Sequence, residues 1–105
     1  MFTGTEDNEI SYNDAALLTQ NYRDAQAPGS SYVKGEYFSK ASLESILDQS
    51  NCVGIRIYYG LDENNVQRLV IVGTEDNEND MVTGVILENG TACPPFCGST
   101  NNLNS

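Results

Sequence analysis

The chain has 105 residues, enough for one ordinary domain with a modest core and too few for two. Fifteen Asp and Glu against five Lys and Arg give a net charge of −10, which repels nucleic-acid phosphates and anionic lipid headgroups. There is no histidine, so Ser-His-Asp and Cys-His catalysis and the commonest metal ligand are removed together.

The segment Met1 to Asp7 has neither the basic start nor the apolar run of a secretory signal, and no later stretch approaches a membrane span, so a cytoplasmic protein is expected. Residues 1–10 read as a flexible acidic N-terminus. Ser11-Tyr12-Asn13-Asp14 then opens a helix, with Ser11 as N-cap and an acid three residues on at the positive end. Ala15, Leu18 and Tyr22 carry one apolar stripe to about Ala25, where Ala27-Pro28-Gly29-Ser30-Ser31 forms a loop.

Residues 32–38 are extended in character and predict a short edge strand. Ser39 caps a second helix whose buried stripe is Leu43, Ile46 and Leu47, and Asn51 is placed for the left-handed residue that ends it. Val53 to Gly60 and Val66 to Gly73 are β-rich runs joined by the polar linker Leu61 to Asn65, which predicts a hairpin. Pairing the ends in register sets Ile55 opposite Ile71 and Ile57 opposite Leu69 on a core face. Arg56 then meets Val70, and Tyr58 meets Arg68, on the outer face. Glu75 to Asp80 is a polar turn, Met81 to Glu88 a third strand, and Asn89-Gly90 a closing turn.

The expected fold class is therefore α+β: two N-terminal helices packed on one face of a small, mainly antiparallel sheet of three to four strands, forming a single domain over residues 11–90. Residues 91–105 read as an irregular tail, because Pro94 and Pro95 resist both helix and sheet pairing. The hexapeptide Gly-Thr-Glu-Asp-Asn-Glu occurs at Gly4–Glu9 and again at Gly73–Glu78 with unmatched flanks, which reads as coincidence between two acidic turns.

Few residues point to chemistry. Lys34 and Lys40 sit in no nucleophile motif, and no phosphate-binding glycine loop occurs. Asp76 to Asp80 looks like the start of a calcium loop, but Met81 stands where that loop needs glycine and Leu87 where it needs its closing glutamate. No cofactor and no enzymatic activity are expected.

Cys93 and Cys97 flank Pro94-Pro95-Phe96. A polyproline run would hold their Cα atoms roughly 12 Å apart, so a disulfide demands a turn of the kind a cis proline supplies. Cys52 reads as a small buried apolar residue, and three thiolates with a carboxylate would be a loose zinc set. The outer hairpin face, Arg56, Tyr58, Arg68, Val70 and Val72, carries residue types common at interface hot spots, with Tyr58 and Arg68 placed for a cation–π pair. The competing reading has the tail cover that face with Phe96 and Leu103.

Cys52-Val53-Gly54-Ile55-Arg56-Ile57-Tyr58-Tyr59-Gly60, with the strand at 69–73 and Cys93-Pro94-Pro95-x-Cys97, resembles a group of short, uncharacterised Bacteroidetes proteins over about residues 40–105. The resemblance implies a bacterial source and carries no activity, cofactor or catalytic residue. The expected function is a non-catalytic protein-interaction or self-assembly module, binding a protein partner or itself and neither nucleic acid nor membrane. The alternative is a small thiol-based metal-binding or redox protein using Cys93 and Cys97, with Cys52 as a third ligand.

Overall fold

A computed structural model describes residues 1–105. The fold is α+β, with two helices and two small antiparallel sheets, and no helix is long and apolar enough to cross a membrane. The chain forms two compact units, each built from two stretches of sequence: residues 1–7 with 38–90, and residues 8–37 with 91–105. The boundaries of these units differ from the expected segments 1–10, 11–90 and 91–105. Both terminal stretches are tied into units by long-range pairing that local sequence does not announce.

In the first unit, α2 (Lys40–Leu47) begins at Ser39, whose hydroxyl accepts from the Ser42 amide at 3.1 Å. It packs on a sheet ordered β2 (Gly54–Leu61), β3 (Gln67–Thr74), β4 (Ile86–Leu87). Ile46 of α2 is fully buried, and at the centre of β3 Ile71 is buried on one face of the sheet and Val72 on the other. Gly73 is the close-approach point on the Ile71 face. A Cβ there would lie 3.0 Å from Gln49 Nε2 and 3.1 Å from both Cys52 Sγ and Met81 Sδ. The third strand is shorter than the expected 81–88, because after the single bridge between Thr74 and Asp80 the chain turns through residues 82–84 before pairing again.

The N-terminal stretch is ordered against this unit. Phe2 donates its amide to the Asp76 carbonyl at 2.8 Å. Gly4, at φ +82°, comes so close to Val53 that a Cβ would sit 2.9 Å from the Val53 carbonyl oxygen. The repeated hexapeptide accordingly has two conformations, a left-handed start at Gly4 and an extended one where Gly73 closes β3.

In the second unit, α1 (Tyr12–Asp24) is capped by Ser11, which accepts from the Asp14 amide at 3.1 Å. It has no fully buried residue. β1 (Gly35–Tyr37) pairs with β5 (Thr91–Cys93), Gly35 facing Cys93 and Tyr37 facing Thr91. The expectation of two helices on one sheet is thus corrected, since α1 folds with the two-stranded sheet. Polar contacts join its parts: Asn102 N–H to the Tyr12 hydroxyl at 2.8 Å, Arg23 Nη1 to the Leu103 carbonyl at 2.7 Å, and Lys34 Nζ to the Asn104 carbonyl at 2.9 Å. With so little apolar burial, this unit depends on its hydrogen bonds and on a cross-link between Cys93 and Cys97.

Candidate functional site

Strand alternation puts Arg56, Tyr58, Arg68, Val70 and Val72 on one face of the β2–β3 ribbon, but in a register shifted by two residues. Arg56 faces Val72, Tyr58 faces Val70, and Gly60 faces Arg68. The shift comes from the turn. Asp62 Oδ1 accepts from the Asn64 and Val66 amides at 2.8 and 2.9 Å, and Asn65 adopts φ 62°. The loop therefore closes over three residues instead of five.

The expected Tyr58–Arg68 cation–π pair does not form. Instead both polar residues of β2 converge on Asp80, with Arg56 Nη1 2.5 Å from Oδ1 and the Tyr58 hydroxyl donating to Oδ2 at 2.5 Å. The Arg56 guanidinium also lies 5.7 Å from the centre of the Phe2 ring. Arg68 turns the other way, its Nε 3.5 Å from Glu88 Oε1 and its Nη2 donating to the Gly90 carbonyl at 3.1 Å. Val72 is only 4% exposed, so it leaves the list of contact residues. Phe96 and Leu103, the expected cover from the tail, are both exposed.

The electrostatics follow the geometry. The Tyr58 hydroxyl's hydrogen bond, then Arg56, hold the Asp80 carboxyl below its ordinary range. Its hydrogen bond to Asp80 raises the Tyr58 hydroxyl, and Arg56's own hydrogen bond to Asp80, with the charge attraction, raises the guanidinium. This face is occupied with its own internal bonding. Sequence reasoning missed Asp80 and Phe2, although the acidic run beside β3 is where a counterion for Arg56 would be sought.

The opposite face shows the reverse. Ile55 and Ile57, expected in the core with Leu69 and Ile71, are 38% and 45% exposed, and Tyr59 and Leu61 on the same side are more so. The reason is size: α2 has eight residues and spans about 12 Å, half the roughly 26 Å of an eight-residue strand. The helix meets both strands near the Gly73 end, and Ile57, Tyr59 and Leu61 toward the hairpin turn are left as an exposed aliphatic and aromatic row. β2 is also the free edge of its sheet.

Cys93 and Cys97 are joined in a disulfide with Cα atoms 4.7 Å apart, the Cys93-Pro94 and Pro94-Pro95 peptide bonds being cis. The bond borders an open groove of about 480 Å³ lined by Lys34, Tyr37 and Phe96 among others. Cys52 is a free thiol, partly buried, donating to the Gly54 carbonyl at 3.2 Å. No three His, Cys, Asp or Glu side chains are grouped so as to hold a metal ion. No protein-family model, curated protein or solved structure matches the chain.

Proposed function

We propose that the chain is a non-catalytic protein-interaction module whose contact surface is strand β2. The observation that carries this reading is the coincidence, on one strand, of a free sheet edge with the exposed row Ile55, Ile57, Tyr59 and Leu61. Such an edge offers main-chain groups for pairing, and the row supplies apolar area for the same partner. The partner is a protein strand and not nucleic acid, because a net charge of −10 opposes phosphates while strand pairing needs no basic patch. Amide hydrogen exchange tests the proposal. Ile55, Ile57 and Tyr59 should exchange fast in dilute pure protein and slow down either in concentrated protein or in an extract of the source cells. Fast exchange in all three conditions sinks it.

The second reading, a thiol-based redox protein, is favoured by the closed Cys93–Cys97 bond beside an open groove. It places the chain in an oxidising compartment, against the cytoplasmic expectation, since reducing cytosol keeps such thiols open. The metal-binding version loses ground because these two sulfurs are engaged with each other. Thiol titration before and after reduction separates the readings. If Cys93→Ser with Cys97→Ser leaves reaction with a dithiol reductant unchanged, the redox reading fails.

A further inference from the structure

We infer that β2 pairs antiparallel with β2 of a second copy of this chain, about a two-fold axis at Ile57, so that two three-stranded sheets join into one. This rests on the reading of β2 as the contact surface and names the partner.

The phase of the hairpin shows which groups are available. Asp62 donates its amide to the Val66 carbonyl at 3.0 Å, which marks a hydrogen-bonded pair at the end of the ladder. Counting back in twos through the register, Gly60, Tyr58, Arg56 and Gly54 direct their main-chain groups to β3. Ile55, Ile57, Tyr59 and Leu61 therefore direct theirs to the open edge, and these are the residues whose side chains form the exposed row. The N-terminal stretch packs on Val53 just before the strand, and within Ile55 to Leu61 the usual edge-blunting side chains are missing. The strand has eight residues, no proline and no lysine, and its one charge, Arg56, is held by Asp80.

A second copy is the occupant because the strand is nearly palindromic. Outward from Ile57, Gly54-Ile55-Arg56-Ile57-Tyr58-Tyr59-Gly60 has Arg56 or Tyr58, then the large side chains Ile55 or Tyr59, then glycine on both sides. An axis at Ile57 sets Ile57 against itself, Ile55 against Tyr59, and Gly54 against Gly60, with about six main-chain hydrogen bonds across the seam.

On the other face, Arg56 of one copy meets Tyr58 of the other. Each Tyr58 is already bonded to its own Asp80, so cations, hydroxyls and carboxylates alternate across the junction. Moving the axis to Arg56 would oppose like charges, and moving it to Tyr58 would leave Arg56 facing Gly60. Long-range repulsion between two chains of charge −10 works against pairing and is screened by salt, so association should tighten from about 0.02 M to about 0.5 M ionic strength.

Sedimentation of the full chain from about 1 µM to about 1 mM tests this. The wild type should form a dimer that tightens with salt. I57K and I57E, each replacing an exposed side chain, should retain the wild-type circular dichroism and melting curve and raise the dissociation constant roughly tenfold or more. An equimolar mixture of the two variants should recover the dimer, because the substituted side chains face each other at the axis. A wild type that stays monomeric, a dimer indifferent to both variants, or a mixture that fails to recover overturns the inference. Monomeric behaviour combined with β2 amide protection in cell extract would overturn this pairing alone and leave β2 as a contact surface for another protein.

Discussion

The Tyr58 hydroxyl donates to Asp80 Oδ2 while Arg56 holds Oδ1, so a single carboxylate joins two residues of β2 to the turn that follows β3. The bond is also a pH sensor with two limits. Asp80 binds its proton more weakly in the folded chain than its ordinary value of 3.8 allows, so its stabilisation is complete above about pH 4 and is lost as pH falls through the folded-state value. Tyr58 is raised above 10.0, so its stabilisation is complete below about pH 10 and is lost as pH rises through its folded value. Urea midpoints against pH should show a plateau between these limits. D80N should reduce the fall on the acid side, with a remainder from Glu6, whose carboxylate is lowered by accepting the Thr3 amide. Y58F should flatten the alkaline side.

Ile46 is the one large side chain with no exposure, whereas Leu18 is 63% exposed. Ile46→Ala should cost about 2–5 kcal/mol through lost contacts and the cavity left behind, and Leu18→Ala no more than about 0.5 kcal/mol. Urea denaturation followed by far-UV circular dichroism measures both. Equal effects would mean that the core is not where α2 meets β3.

Gly73→Ala should destabilise the first unit by about 1–3 kcal/mol, because the added methyl meets Gln49, Cys52 and Met81 at once. Gly84 is tighter still against the Gln49 side chain, whose Oε1 accepts from the Val85 amide at 2.8 Å. Gln49→Ala combined with Gly73→Ala should therefore recover only part of the loss. The double-mutant cycle is the measurement, and full recovery would show that Cys52 and Met81 yield freely.

These positions also show what was legible in the sequence. Both N-caps, Ser11 and Ser39, follow from local chemistry and are there in the structure; Asn51 is left-handed as expected, but it stands in the turn after α2, which already ends at Leu47 with Asp48 as its C-cap. The hairpin runs were evident from their β-branched and aromatic content, yet the register moved by two because the Asp62 turn shortened the loop. A slip of two preserves the faces, so Arg56 and Tyr58 still share a side with Val70. What failed was cover. Periodicity says which residues share a face and not how far along it the cover extends, so it places Ile57 in a core although an eight-residue helix spans only about half the strand. The β1–β5 pairing was invisible because prolines next to Cys93 argue against a strand, although pairing ends just before them.

Opening the Cys93–Cys97 link, by C93S/C97S or by reductant, should destabilise the second unit by about 2 kcal/mol, the chain-entropy value for so short a loop. The Lys34 amide, bonded to the Cys93 carbonyl at 2.6 Å, and the Phe96 amide, bonded to the Ala92 carbonyl at 3.1 Å, should then exchange about thirtyfold faster. Unchanged exchange would show that the hydrogen bonds hold this unit without the link.

The interleaving of the two units sets a timetable for biosynthesis. Residues 8–37 leave the ribosome first, but their complement at 91–105 arrives only after the intervening stretch has been translated, roughly 3–10 s later. During that interval α1 is a nascent helix with nothing to dock on, and Gly35–Tyr37 is a lone strand waiting for its mate.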